Sequence, residues 1–263
     1  MKRGQVFQKI EIERRGRVGV LRLNDPAVLN AVSVAMLDEF GPALDALLET
    51  SRAIIVTGEG RAFCSGANLA GGMSEPGPAA DFGLELETHV NPLMTRLRDL
   101  PVPWISAVRG AAAGVGCSLA LAADMVVASD TAYFLQAFSR IGLVPDGGSS
   151  HLVARAIGRV RAMEMMLLGE RIPAARALEW GLVNRVVDNA ALEGAAFELA
   201  DRLANGPASL GQIRRIVWNA VDAPWDDALA MERREQATAG RTADCAEGIN
   251  AFLEKRPAAF EGR

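Results

Sequence analysis

Residues 61–69 read Arg-Ala-Phe-Cys-Ser-Gly-Ala-Asn-Leu, and residues 110–119 read Gly-Ala-Ala-Ala-Gly-Val-Gly-Cys-Ser-Leu. Each stretch follows a short apolar run typical of a strand, at residues 53–57 and 104–108, and leads into a helix-compatible sequence. Small side chains allow close approach to the backbone, and free N–H groups at a helix N-terminus favour negative charge. Two such donors converging on one oxygen would form an oxyanion hole. Either stretch alone is equally compatible with a tight strand–helix junction.

Working outward, the chain reads as a β/α region followed by helices. Alternating apolar residues predict a β-hairpin at residues 5–13 and 17–23, and Ser33 is placed to cap a helix over 34–49. The Gly- and Pro-rich residues 70–83 predict a mobile surface loop. The other predicted elements are a helix near 84–99, strands at 104–108, 124–128, 132–135 and 182–187, and mostly helical structure beyond about 158. These patterns predict an α/β core over residues 1–204 and a helical C-terminal region over 205–263.

Composition narrows the classes of function. The 263 residues are 50% hydrophobic with a formal net charge of −4, and no basic block is present, which argues against nucleic acid as a partner. No apolar run approaches the roughly 20 residues of a membrane span, and the first ten residues lack the apolar core of a signal peptide. Cys64, Cys117 and Cys245 form no CxxC pair, so neither a disulfide framework nor a metal site is expected. A cytoplasmic location is the simplest prediction.

The chain resembles the crotonase, or enoyl-CoA hydratase/isomerase, superfamily over nearly its whole length. The matching segments, besides the two small-residue stretches, are Val18-Gly-Val-Leu-Arg-Leu-Asn-Asp-Pro26, Leu29-Asn-Ala31, Ile141-Gly-Leu-Val-Pro145, the segments 161–169 and 180–184, and Gly248-Ile-Asn-Ala-Phe-Leu-Glu-Lys-Arg256. The resemblance implies a ββα spiral core whose C-terminal helices assemble homotrimers or hexamers.

The resemblance also implies the substrate and its contacts. The substrate would be an acyl-CoA thioester, so coenzyme A is part of the substrate and no separate cofactor is expected. The backbone N–H groups of Ala67 and Val115 would bind the thioester oxygen. The residues implied to contact coenzyme A are Arg61, Ser65, Leu69, Phe252 and Lys255, the last two often reaching the nucleotide from a neighbouring subunit.

Two departures from the family narrow the activity. Hydratases of this family use two glutamates, and the aligned positions here are Ser118 and Phe138. Water addition needs one group to activate water and another to relay a proton, and this pair is ill suited to both tasks. We therefore expect hydration to be marginal.

Asp146 is the remaining carboxylate at a position the family uses for acid/base chemistry. On its own, Pro145-Asp-Gly-Gly148 is an ordinary turn sequence. The surrounding residues resemble isomerases of the phenylacetate-pathway 1,2-epoxyphenylacetyl-CoA type, which have a catalytic aspartate here. One carboxylate is enough to move a double bond, and burial among Phe138, Leu143 and Val144 would raise its pKa. We therefore expect an enoyl-CoA isomerase with Asp146 as its acid/base.

Three alternatives remain open from the sequence. The chain could be a weak hydratase, or a dehalogenase-type hydrolase of aryl-CoA thioesters in which Asp146 attacks the ring. The hydrolase also needs a histidine base, and His89 and His151 are the only histidines. The third alternative is a non-catalytic acyl-CoA-binding protein.

Overall fold

The computed structural model describes residues 7–69, 77 and 81–263. The predicted 70–83 loop lies largely outside the described residues. The α/β class is confirmed, and the chain forms a six-stranded sheet, a three-stranded sheet and a set of helices. The strands are β1 Ile10–Arg15, β2 Val18–Leu23, β3 Ala53–Gly58, β4 Trp104–Val108, β5 Ala111–Ala113, β6 Met125–Ser129, β7 Tyr133–Leu135, β8 Ile172–Pro173 and β9 Arg185–Val187.

The helices surround these strands. They are α1 Val34–Leu48, α2 Phe82–Glu85, α3 Asn91–Arg98, α4 Val115–Leu121, α5 Ser149–Leu168, α6 Ala174–Trp180, α7 Leu192–Ala204, α8 Leu210–Ala220, α9 Trp225–Ala239 and α10 Ala243–Leu253. Short 3₁₀ turns include Ala137–Ile141, and one π-helical turn spans Leu86–Val90.

The large sheet has the order β1-β2-β3-β4-β6-β9. Strand β1 is antiparallel to β2, and the remaining neighbours are parallel. Parallel strands need crossover connections, and here the crossovers carry α1, α3 and α4. One face of the sheet packs in the main apolar core with α1 and α4, and the other face packs against α7. Strands buried on both faces read as continuous apolar runs, which explains the run at residues 53–57.

The small sheet includes the start of the second small-residue stretch as strand β5. Strand β5 is parallel to β7, and β7 is antiparallel to β8. The tri-alanine strand β5 was predicted as part of a turn. Three alanines show no alternation of polar and apolar side chains, so only the pairing with β7 reveals the strand.

Other elements follow the sequence prediction with shifted boundaries. Ser33 accepts a hydrogen bond from the Met36 N–H at the start of α1, as expected of an N-cap. The single helix predicted at 84–99 is instead α2, a π turn and α3. Helical structure begins with α5 at Ser149, before the predicted 158, and Gly158 interrupts that helix with a positive φ of 77°.

The helices after α7 are attached to the core through a buried arginine. Arg214 on α8 donates from Nε to Asp124 at 2.5 Å and from Nη1 to the Leu100 carbonyl at 2.6 Å. Its position links α8 to the ends of α3 and α4. The domain boundary predicted at 204–205 falls at the end of α7 and remains a prediction. Among the helices that the structure describes, none is long and apolar enough to cross a membrane.

Candidate active site

The two small-residue stretches lie against each other. A single parallel bridge joins Cys64 to Ala112, with the Cys64 N–H donating to the Ala111 carbonyl at 2.9 Å. A Cβ placed on Gly114 would lie 3.7 Å from the Cα of Gly66. The turn after β3 and the turn before α4 are therefore in van der Waals contact. The two stretches thus pair through their backbones, and the convergence of their N–H groups on one oxygen stays a prediction.

The next residue in each turn carries an N–H group without an acceptor. Over the ranges 7–69 and 81–263, no acceptor pairs with the N–H of Ala67 or of Val115. Val115 is the first residue of α4, where N–H groups are free for lack of a preceding helical turn. Two adjacent free donors, one of them at a helix N-terminus, can bind a single negatively charged oxygen.

Glycine is required where the two turns touch. Gly66 has a φ of +106° and Gly114 a φ of +52°, conformations that side chains other than glycine rarely adopt. Gly116 is needed for space, since a Cβ there would lie 2.5 Å from the Cys64 Sγ. Cys64 and Cys117 are both buried, and burial raises the pKa of their thiols to about 11 and about 12. Both thiols therefore stay protonated near neutral pH and act as small packing residues.

Asp146 lies in the turn that precedes α5, directly against α4. A Cβ on Gly147 would lie 2.9 Å from Ser118 Cβ and 3.5 Å from Val115 Cγ2, so this turn rests on the first turns of α4. Asp146 Oδ1 is buried and has no hydrogen-bond partner among the residues the structure describes. Burial raises the pKa of Asp146 to about 6, and burial is the cause of the shift. A carboxylate of this kind can accept and return a proton near neutral pH.

The surroundings of Asp146 differ in part from the prediction. Phe138 is buried and Leu143 is half-buried, as expected, but Val144 is 78% exposed. In the turn 142–148, the Val144 side chain points outward. The elevated pKa therefore arises without the contribution predicted from Val144.

Ser118 contacts the main chain of Asp146, Phe138 lies against the Gly114 turn, and neither side chain offers an acid/base group. The Ser118 hydroxyl is buried and donates to the backbone carbonyl of Asp146 at 2.9 Å. A Cβ on Gly114 would lie 3.8 Å from Phe138 Cζ, which places the phenyl ring against the turn that carries the Val115 N–H. The site therefore has an apolar wall where hydratases of the family are expected to have a carboxylate.

The predicted coenzyme A contacts fall into two groups. Arg61, Ser65 and Leu69 all belong to the turn after β3, together with Ala67. Arg61 and Leu69 are exposed, and the Ser65 hydroxyl donates to the Val28 carbonyl at 3.1 Å. These residues are accessible next to the free N–H of Ala67.

Phe252 and Lys255 are placed elsewhere in the chain. Phe252 lies on α10, is 83% exposed, and lines an apolar groove whose other lining residues all lie between 207 and 260. Lys255 follows α10 with a φ of +55°. Within one chain, the described contacts do not bring these two residues to the turn after β3. Their predicted contact with the nucleotide, from a neighbouring subunit, stays a prediction.

The ionic partners described for the two histidines are carboxylates other than Asp146. The His89 ring lies 3.5 Å from Glu85 and 3.8 Å from Asp38, and His151 lies 3.5 Å from Asp222. Within the described residues, no group of three or more His, Cys, Asp or Glu side chains is arranged to hold a metal ion.

Ser149 is the site residue that the sequence prediction missed. Its hydroxyl and its N–H both donate to the Asp146 carbonyl, at 2.9 and 3.0 Å. The signal was present as Asp-Gly-Gly-Ser, because a serine that begins a helix after a glycine turn can hydrogen-bond the turn it leaves. The sequence alone does not show that Ser118 contacts the same carbonyl.

Comparison with known proteins identifies the class of protein that has this fold and site. Residues 13–263 match the family described as Enoyl-CoA hydratase/isomerase. The chain is 42% identical over 250 residues to the 1,2-epoxyphenylacetyl-CoA isomerase of Escherichia coli, covering 94% of this chain and 95% of that protein. It is 41% identical over 262 residues to a probable enoyl-CoA hydratase of Rhodobacter capsulatus, covering 98% and 99%.

Solved structures of the same family have a similar fold. A crystal structure of an enoyl-CoA hydratase subunit I from Geobacillus kaustophilus superimposes with a TM-score of 0.91 at 36% identity, covering 98% of this chain and 99% of that one. The chain belongs to the enoyl-CoA hydratase/isomerase family, and it has the crotonase fold. Relatives with isomerase names and relatives with hydratase names are both found at similar identity.

Proposed function

We propose that this protein is an enoyl-CoA isomerase that uses Asp146 as its single acid/base. The observation that carries the proposal is the half-buried Asp146 side chain, whose buried Oδ1 has no hydrogen-bond partner among the described residues. It lies in a turn that rests on the helix whose first residue is Val115. The 42% identity to a protein named 1,2-epoxyphenylacetyl-CoA isomerase supports isomerisation of a CoA thioester in general.

The proposed reaction moves one proton between two carbons of the acyl group. The Asp146 carboxylate takes a proton from C2 of a 3-enoyl thioester, and the electrons of that C–H bond form an enolate. The negative charge develops on the thioester oxygen, where the N–H groups of Ala67 and Val115 stabilise it. Asp146, now protonated, returns the proton to C4, and the double bond then lies between C2 and C3. No atom is gained or lost.

Substrate binding follows the placement of the exposed turn residues. We propose that Arg61, Ser65 and Leu69 contact the coenzyme A portion beside the oxyanion donors. We propose that the nucleotide end also contacts Phe252 and Lys255 of a neighbouring subunit, since the groove lined by Phe252 contains no residue of the turn after β3.

Hydration should be marginal, because Ser118 and Phe138 replace the two carboxylates that would handle water. With crotonyl-CoA in water, loss of the conjugated thioester absorbance should proceed well below the ordinary enzyme range of about 1–1000 per second. The control is isomerisation of a 3-enoyl-CoA by the same preparation. Hydration within the ordinary range would show that this chain is a hydratase.

A symmetric assembly is expected, most simply a trimer or a pair of trimers. The C-terminal helices expose a large apolar surface, formed by Ile213, Val217, Val221, Leu229, Ile249, Phe252 and Leu253. Exposed apolar surface of this extent marks an interface, and closed symmetry is the usual way to bury it. Light scattering at micromolar concentration should report a trimer or hexamer. A monomer would contradict both the assembly and the proposed contacts of Phe252 and Lys255.

A further inference from the structure

The backbone carbonyl oxygen of Asp146 accepts hydrogen bonds from three donors. Ser118 Oγ and Ser149 Oγ each donate to it at 2.9 Å, and the Ser149 N–H donates at 3.0 Å. Both serines are fully buried. Three donors therefore converge from two different helices, α4 and the first turn of α5, on one carbonyl oxygen.

We infer that Ser118 is a positioning residue, which holds the main chain of Asp146 at a set distance from the helix that carries the Val115 N–H. Ser149, at the start of α5, donates a second hydroxyl hydrogen bond to the same carbonyl. The inference rests on the proposed role of Asp146 as the acid/base, and it assigns a task to the residue that stands where hydratases of the family have a glutamate.

Helix α4 connects the proposed acid/base, Asp146, to the proposed oxyanion donor, the Val115 N–H. Val115 is the first residue of α4 and Ser118 is three residues later, so both lie in the first turn of that helix. Gly147 is packed so closely on Ser118 that a Cβ there would meet Ser118 Cβ at 2.9 Å. A displacement of about 1 Å between a catalytic group and the reacting atom can lower a rate by about 100-fold. A hydrogen bond that fixes Asp146 to α4 therefore affects the chemical step directly.

The choice of acceptor by the Ser118 hydroxyl also keeps the pKa of the Asp146 carboxyl raised. A hydroxyl donating to the carboxylate would stabilise its charged form and lower its pKa. Here both acceptors within reach of the hydroxyl are backbone carbonyls, of Asp146 at 2.9 Å and of Gly114 at 3.3 Å. Asp146 Oδ1 stays buried without a partner among the described residues. Loss of the hydroxyl should loosen the turn, admit water to the carboxylate, and bring the pKa of Asp146 down from about 6 toward its ordinary value.

Charged groups on the elements around Asp146 do not account for the raised pKa. Helix α4 offers the Cys117 thiol, which is neutral because burial raises its pKa to about 12. The neighbouring 3₁₀ turn carries Arg140, which is exposed. On α5, His151 and Arg155 both pair with Asp222. Burial is the cause of the shift, so a change in the solvent exposure of the turn is what the pKa should report.

The test compares Ser118→Ala with wild type in steady-state kinetics and in carboxyl titration. For Ser118→Ala we expect kcat for 3-enoyl-CoA isomerisation to fall about 10-fold, with KM little changed. The acid limb of the kcat/KM profile should move below pH 6. Carbon-13 NMR of aspartate-labelled protein, with the Asp146 signal assigned from Asp146→Asn, should show the same fall in pKa without any need for turnover.

Two further variants complete the experiment. Ser149→Ala removes the second hydroxyl and should shift kcat and the Asp146 pKa in the same direction, so it replaces Ser118→Ala if that variant does not fold. Ser129→Ala is the matched control, because Ser129 is a buried serine on β6 whose hydroxyl bonds Thr131 at 2.8 Å. It should leave the Asp146 pKa and the pH profile unchanged.

The outcomes separate the inference from the function on which it rests. Wild-type kcat in Ser118→Ala, or a lower kcat with an unchanged Asp146 pKa and pH profile, would overturn the positioning role. If wild type does not isomerise any 3-enoyl-CoA, the proposed function fails. A fall of the Asp146 pKa in Ser118→Ala would in that case still support the structural link between Ser118 and Asp146.

Discussion

Replacing Asp146 with Asn should lower kcat for isomerisation of a 3-enoyl-CoA by about 100-fold or more. The substitution keeps the shape of the side chain and removes the only carboxylate at a family acid/base position. Because Asp146 Oδ1 makes no hydrogen bond within the described part of the chain, its replacement by a neutral amide should not weaken the fold. Affinity for a saturated acyl-CoA, measured by calorimetry, should be nearly unchanged.

The matched control is Asp201→Asn. Asp201 is exposed on α7, which packs on the sheet face opposite the main core that contains α4, and its side chain bonds only locally with Asn205. This variant should isomerise as fast as wild type. Near wild-type turnover by Asp146→Asn would point to Glu85 or Glu87 as the base. Unchanged binding with no turnover even in wild type would instead describe an acyl-CoA-binding protein.

Replacing Val115 with Pro should lower kcat by about 100-fold to 1000-fold while the protein stays folded. Proline lacks an N–H and so removes one of the two proposed oxyanion donors. Removing one such donor lowers kcat by about 100-fold to 1000-fold in enzymes that stabilise a developing negative charge in this way. Val115 is the first residue of α4, the helical position where proline is best tolerated because its N–H is unpaired. Circular dichroism should show the same helix content, with a lower melting temperature because the buried Val115 side chain loses packing contacts.

Ala243→Pro provides the control for the backbone change itself. Ala243 is the first residue of α10, is exposed, and follows Thr242 in an extended conformation that suits a residue before proline. That variant should keep full activity. If Val115→Pro folds and isomerises at the wild-type rate, the Val115 N–H is not an oxyanion donor.

The contact between the two small-residue turns was easier to predict from the sequence than the limits of the strands and helices were. The small residues at 61–69 and 110–119 indicated two turns with accessible backbone, because only small side chains permit such contact. The structure confirms that these turns touch, through Gly66 and Gly114. Strand β5, in contrast, is made of three alanines and carries no periodicity, so its pairing with β7 had no local signal.

Long-range contacts explain what the sequence left undetermined around Asp146. The elevated pKa was expected, yet Val144 was assigned to the wrong side of the turn because Ile-Gly-Leu-Val-Pro is apolar throughout. The convergence of Ser118 and Ser149 on one carbonyl joins residues 31 positions apart, and no local pattern reports it. Phe252 and Lys255 were matched by family position, and their predicted contact from a neighbouring subunit is a long-range feature that no local pattern reports.

The most direct measurement follows the hydrogen at C2 of the substrate. A 3-enoyl-CoA deuterated at C2 is incubated with wild type and with Asp146→Asn, and NMR records both loss of deuterium from C2 and formation of the 2-enoyl product. If Asp146 carries the proton, wild type performs both processes and the variant slows both in parallel by about 100-fold or more. Wild-type rates of label loss and isomerisation in Asp146→Asn would contradict the account.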